Sequence, residues 1–537
     1  MLKKAFSMIL ALVLCLGIFV GCDSNTPAET TKPTQTTQPA ASDAPSTAPQ
    51  ETEPEKLYFE EPLKITMARP AQVDCSWYYD LVKELLNVEI QVMDMDNFSE
   101  QYSLMVSENN LPDLTWMNGN AFGNEYGPQG AYINVMDYLD QMPNFKAMLE
   151  ANPKYLESSL FVTDSGAMYH MPCIQVNGTT ILRGWYYRED IFEKHGLEWP
   201  TTREELEAVL RKLKELYPES YPICMRYLGG AHITNVVDMG VAFDTKLIFP
   251  GRNSAYANLD NDTGKWYEGA TSENMKEMIS WLKQMMDEGL IHPSGPTMSN
   301  DEWKAYLNTS NGFISWDRVD QLASINVEGV KQNPDFKLVV ADPIPMVDSA
   351  EAAYVAPDLT NYSFLISANC ERLDDVLAYL DWMYSKEGIL ATNYGKEGET
   401  YTLDADGNPV WMDAVKAEDA PQTGRGLLVG GDYGVYDFNS YKSWQPDYMQ
   451  QSYDTIIAHA TVENYYPVLN YTEEEQKIAN TYGEAYNTFV KGELVKFLLG
   501  ERDMSEWNAF VTEANVDYHG AELTQIAQSA WDRMQAG

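Results

Sequence analysis

Apolar and polar residues alternate through Leu63-Lys-Ile-Thr-Met-Ala68, which predicts a strand ending at Arg69-Pro70. Trp77–Leu86 then carries apolar residues at helical spacing, and Val88-Glu-Ile-Gln-Val-Met93 alternates again. Phe98–Glu108 reads as a helix and Leu111–Trp116 as a third strand running into Met117-Asn-Gly-Asn120. A β-α-β-α-β series of this kind predicts a parallel sheet with right-handed crossovers. Ligands of such sheets sit beyond the carboxyl ends of the strands, here Arg69–Trp77 and Trp116–Asn120.

A second body begins near Ile181. Thr202, with Glu205 three residues on, predicts a capped helix running to Tyr217, and Ser272–Glu288 predicts a longer one stopped by Gly289. Asn261-Asp-Thr-Gly264 between them reads as a hairpin turn. Gly312–Trp316 and Tyr362–Ile366 read as short buried strands, and Leu373–Ser385, Glu473–Leu499 and Glu522–Met534 as helices. The expected class is α/β, with each sheet mostly parallel and flanked by helices.

The first 56 residues have a different pattern. Lys3 and Lys4 precede a 13-residue apolar run, Met8–Val20, which is short for a membrane span and reads as a signal-peptide core. It ends in Gly21-Cys22, which resembles a bacterial lipobox, so residues 1–21 are expected to be removed and Cys22 lipidated. Residues 23–56 hold six Pro and eight Thr without an aromatic or large aliphatic side chain. That composition predicts an extended tether carrying the body away from the outer face of a bacterial membrane.

Charge narrows the partners. The chain has 80 acidic and 37 basic residues, a net charge of -43, and residues 57–537 keep 74 and 33 of them. Phosphate backbones and anionic headgroups are repelled by such a surface, so nucleic acid is excluded and the membrane is reached through lipid alone. A hydrophobic content of 44% is enough for a large core.

Motifs for catalysis are missing from the sequence. The six His stand apart, and neither a zinc pair, a nucleophile elbow nor a Walker sequence occurs. Gly424-Arg-Gly426 has Val429 where a dinucleotide fingerprint needs its third Gly. Asp260-x-Asp262-x-Gly264 and Asp404-x-Asp406-Gly407 have the oxygen content of calcium loops, but hairpin turns explain both more simply, and no metal or cofactor is expected. Cys75, Cys173, Cys224 and Cys370 are widely spaced and allow three disulfide connectivities or none.

Several blocks resemble the bacterial extracellular solute-binding proteins of family 1, in the large lipoprotein branch that serves carbohydrate ABC transporters. They are Gly184–Glu205, Met286–Ile291, Tyr394–Tyr401 and Phe497–Arg502 running on through Trp507 to Arg533. The resemblance implies two hinged α/β lobes of the periplasmic-binding-protein type, one formed by 57–180 with 345–400 and the other by 181–344 with 401–537. It further implies a monomer that holds a sugar between the lobes and delivers it to permease subunits. Sugars present C–H faces and hydroxyl rims, so aromatic platforms with planar hydrogen-bonding partners are expected around them. Strand-end loops supply Trp77, Trp116, Asn118 and Asn120, and Trp444 lies in an aromatic stretch with Tyr441 and Tyr448. The resemblance adds Gln175, Arg226, Trp316 and Asp317, with Trp316 as first choice. A glycoside hydrolase stays open as an alternative, because this many carboxylates leave room for a pair at glycosidase spacing. So does an adhesion or sensory lipoprotein that binds glycans without transport.

Overall fold

Strand β1 (Leu63–Pro70) is buried at three consecutive positions, Met67, Ala68 and Arg69, as a strand covered on both faces must be. The structure is a computed structural model describing residues 56–71, 74–118, 121–158, 160–163, 165–178, 182–226, 228, 234–245, 258–260, 263–357, 362–418, 421–428, 433–463, 469 and 471–536. Residues from Leu57 onward form one compact unit, separate from Met1–Lys56.

Along the chain β1 is followed by α1 (Ser76–Leu86), β2 (Val88–Met95), α2 (Phe98–Ser107), β3 (Leu114–Asn118), β4 (Met171–Pro172) and β5 (Ile174–Val176). Next come β6 (Arg183–Arg188), the hairpin β7 (Asn258–Asp260) and β8 (Lys265–Tyr267), α3 (Glu273–Asp287), β9 (Ile314–Arg318) and β10 (Leu338–Val340). Then follow β11 (Tyr354–Pro357), β12 (Tyr362–Ile366), α4 (Leu373–Trp382) and a hairpin of β13 (Tyr401–Leu403) with β14 (Pro409–Trp411). The chain closes with β15 (Val435–Asp437), β16 (Ala460–Glu463), α5 (Glu473–Leu499) and α6 (Gly520–Ala536).

The main sheet has the order β2-β1-β3-β12-β4. Its first three strands are parallel, as the β-α-β-α-β series requires, while β12 runs antiparallel to both of its neighbours, β3 and β4. Alternation along β3 and β12 sends Trp116 and Phe364 into one core and Met117 and Leu365 into a smaller cluster on the other face. The second sheet, β10-β6-β9, is antiparallel throughout, which corrects the expectation of a mostly parallel sheet. Strand–helix alternation implies parallel strands only where successive strands become neighbours. Here β6 pairs with strands far along the chain, so that inference does not reach it.

Two large cores result. The first gathers Leu63, Trp116, Phe145, Phe364, Leu380 and Val435; the second gathers Trp185, Leu210, Trp281, Trp316, Phe438 and Phe497. Among the described residues the chain passes between them three times, after Ile174, after Tyr354 and after Val435. Residues 401–435, expected with the second lobe, contribute Tyr401, Trp411, Leu427 and Tyr433 to the first core. The hairpin β13–β14 accounts for this, since it lays Tyr401 and Trp411 against Tyr394 at ring distances of 5.7 and 5.1 Å.

The crossing after β5 leaves its backbone little choice. Asn177 and Gly178 have φ of 64° and 128°. A Cβ on Gly178 would lie 2.7 Å from the Phe438 ring. Asn177 Nδ2 also donates to Asp437 Oδ1 at 2.8 Å, tying the first crossing to the third, where β5 and β15 pair in parallel.

Candidate ligand-binding site

The carboxyl end of β9 carries a compact charge cluster. Arg226 donates to both oxygens of Asp317, from Nε at 2.6 Å and from Nη2 at 3.1 Å, with both residues buried. Its Nη1 donates to Asn300 Oδ1 at 2.7 Å, and the guanidinium lies 4.5 Å from the Trp303 ring centre. Asn235 Nδ2 donates to the Arg226 carbonyl at 2.7 Å. Two planar, charge-assisted bonds fix the guanidinium in one orientation, as a planar fork requires.

A second ion pair stands beside it. Arg183 Nη1 is 2.9 Å from Asp238 Oδ2. Burial pushes the Asp238 carboxyl up to about 7; Arg183 opposes this and the Asp317 charge adds to it. The cluster therefore combines a fixed fork with a buried carboxyl held above its ordinary range.

Aromatic side chains dominate on the first core. Trp77 at the start of α1 is half-buried, with the Arg425 guanidinium 5.8 Å from its ring centre. Trp444 is also half-buried and donates from Nε1 to Gln422 Oε1 at 3.0 Å. Both indoles thus rest on the turn around Thr423–Arg425. Trp116 is buried and stacks on Tyr362, ring centres 5.3 Å apart. Gln175 is buried on β5, its backbone N–H donating to Tyr155 Oη at 2.9 Å.

A model of the bacterial extracellular solute-binding proteins matches residues 76–389, more than half of the chain. The chain belongs to that family. The fructooligosaccharide ABC transporter substrate-binding protein FusA of Streptococcus pneumoniae serotype 4 is 22% identical over 471 residues, 82% of this chain and 83% of its own length. The crystal structure of the alginate-binding protein AlgQ2 without calcium ion superimposes with a TM-score of 0.68 and 21% identity, covering 89% of this chain and 99% of that one. The S. pneumoniae FusA structure in complex with kestose gives 0.66 and 19%, covering 89% and 100%. The likeness gives the chain the two-lobe α/β fold of these solute-binding proteins.

Within this solute-binding protein the candidates separate into groups. Arg226 joins Asp317, and Trp77 joins Trp444 through the 422–425 turn. Trp316 does not present a platform. It is only 2% exposed, wedged between Trp185 and Tyr354 at ring distances of 5.3 and 5.8 Å. Strand β9 places it there, because Trp316 pairs with Trp185 across β6 and both rings share one face. Asn118 ends β3, while Asn120 and Cys22 lie outside the described residues.

Of the two calcium-like loops, 404–408 is described throughout and is a turn. Asp404 Oδ1 accepts from the backbone N–H groups of Asp406 and Asn408 at 2.9 and 2.8 Å, and these bonds hold its carboxyl below the usual range. Asp260 accepts from Thr263 Oγ1 at 2.8 Å, and Asp262 lies outside the described residues. Among the described residues no three His, Cys, Asp or Glu are placed to hold a metal. Cys75, Cys173, Cys224 and Cys370 form no disulfide with one another.

Sequence reasoning missed Trp303, Asn300, Gln422 and Arg425. Ser299 with Glu302 forms a complete capping box, legible in the sequence, and it fixes the helix start from which Asn300 and Trp303 reach Arg226. Gln422 and Arg425 stand in a short 3-10 turn and carried no signal.

Proposed function

We propose that the protein captures a neutral oligosaccharide between its two lobes, outside the cell membrane, and delivers it to the permease of an ABC transporter. The likeness to FusA along most of both chains carries this reading. In this scheme one lobe is residues 57–176 with 362–436, and the other 182–357 with 437–537. The three crossings form the hinge, and sugar contacts on both sides bias it toward closure.

Trp77 of the first lobe and Trp444, which packs against the first core although its segment belongs to the second lobe, serve as stacking platforms. Gln175, Arg226 and Asp317 supply hydrogen bonds, and the loop after β3 adds Asn118 and Asn120. Trp116 and Trp316 support these groups from behind. The acidic body favours a neutral ligand over an anionic one. A lipid on Cys22 and the Pro/Thr-rich tether keep the monomeric receptor at the cell surface, and binding proceeds without catalysis.

Thermal-shift measurements with kestose, maltotriose, an alginate trimer and a tripeptide test the reading. A rise in Tm with a neutral saccharide is expected. Stabilisation by the peptide alone overturns the ligand class, and cleavage of the saccharide during incubation makes the protein a hydrolase.

A further inference from the structure

A cavity of about 780 Å³ opens between the β7–β8 hairpin and α6, and none of the candidate residues above lines it. Its walls come from several parts of the second lobe. Strand β8 gives Lys265 and Trp266, the turn after it gives Glu268 and Thr271, and α6 gives Ala521, Gln525, Gln528 and Asp532.

The construction of α6 is unusual for a peripheral helix. Leu523, Ile526, Ala527 and Ala530 enter the core, as amphipathic spacing requires. The opposite stripe is polar, yet the hairpin roofs it. Gln528 fastens the roof: its Oε1 accepts from the Trp266 backbone N–H at 2.8 Å, and its Nε2 donates to Asp532 Oδ1 at 2.8 Å. Just before α6 the chain winds as a π-helix over Glu513–Asp517, and Asn515 of that turn also lines the cavity. Single π turns inside helical segments concentrate at functional sites.

Glu268 stands at the wall. Its Oε2 accepts from Thr271 Oγ1 at 2.7 Å, while Oε1 is shut off from solvent with no hydrogen bond of ordinary geometry among the described residues. Burial pushes this carboxyl up to about 7, against the hydrogen bonds from Thr271 and Asn515. Near neutral pH it therefore both donates and accepts.

An indole, several amides and hydroxyls and one half-protonated carboxyl form a set suited to hydroxyl rims and C–H faces; Ala521 is the sole aliphatic side chain in the lining. The volume suits a ligand of a few hundred daltons. We propose that this pocket is a second saccharide site, taking a neutral mono- or disaccharide unit away from the cleft. The proposal does not depend on the cleft reading.

Calorimetric titration of the full chain with fructose, sucrose and kestose at millimolar concentrations tests it, beside the variant Ala521→Trp. Ala521 is exposed, so the indole fills the cavity without removing an existing hydrogen bond. The wild type is expected to show a weak binding phase that Ala521→Trp weakens at least about tenfold, leaving any tight phase unchanged. Gln525→Ala, also at an exposed position, provides the same comparison if Ala521→Trp does not fold. A weak phase untouched by a folded pocket variant, or no weak phase with any of the three sugars, overturns the proposal. Loss of the weak phase in a protein that lacks a tight phase supports the pocket and sinks the cleft reading instead.

Discussion

In the first lobe β1 lies between parallel neighbours, and the indoles Trp77 and Trp444 stay half-buried against the first core on a short turn. In the second lobe β6 lies between antiparallel neighbours, and charges are drawn inside in fixed pairs. Arg188 donates to both oxygens of Asp190 at 2.7 Å, and Arg226 grips Asp317 in the same bidentate way. The first core thus offers rings that a ligand can stack upon. The second offers hydrogen-bonding groups whose orientation is set before a ligand arrives. That division matches the two faces of a sugar, and it implies different responses to mutation: structural collapse on one side, loss of binding on the other.

The largest effect is expected at Trp316. Truncation to Ala should cost about 4 kcal/mol of stability, because the ring fills the space between Trp185 and Tyr354. Urea unfolding measures this, and a change below about 1 kcal/mol would return Trp316 to the surface. Next comes Arg226→Ala, at about 3 kcal/mol, since Asp317 is left buried and uncompensated. The double variant Arg226→Met with Asp317→Leu should regain most of that stability and still fail to bind saccharide.

Trp77→Ala and Trp444→Ala should behave differently. Each is expected to weaken saccharide binding by about 2 kcal/mol and to lower stability by only about 1 kcal/mol. Equal losses in the two quantities would erase the distinction between the lobes.

The smallest effect concerns pH. The carboxyl of Glu268 titrates higher in the folded protein than its ordinary value of 4.5, at about 7, chiefly through burial. Between those values the folded state binds more protons than the unfolded one, so stability falls as pH rises through the window. Glu268→Gln should flatten this part of the Tm–pH profile and melt above the wild type at pH 8. Asp238 contributes the same sign from 3.8 to about 7, so some decline remains in the variant.

Much of the first lobe was legible because its strands and helices alternate over short distances. The series β1 to β3 follows directly from periodicity, and the pairing of β1 with β2 keeps register from Leu63 with Val88 to Pro70 with Met95. Helix α5 runs over Glu473–Leu499, the span its pattern indicates. Direction in the second sheet was not legible, since β6 meets β9 across more than a hundred intervening residues. Thr202 shows a subtler gap. Its hydroxyl accepts from Glu205 N–H as the capping pattern requires, but the Glu205 carboxylate returns to Thr201 instead. At the site, the family resemblance pointed to Arg226 and Asp317. Whether a Trp is packed or presented depends on its strand partner, and no local pattern distinguishes Trp316 from Trp77.

The central claim is that a neutral sugar is held between two lobes that close upon it. Small-angle scattering of the purified chain, with and without the saccharide that most raises its Tm, tests this directly. The radius of gyration should fall on saturation in the wild type and stay unchanged in the double variant Arg226→Met with Asp317→Leu. Saturating, stabilising binding that leaves the wild-type radius unchanged would contradict closure and place the sugar on one lobe alone.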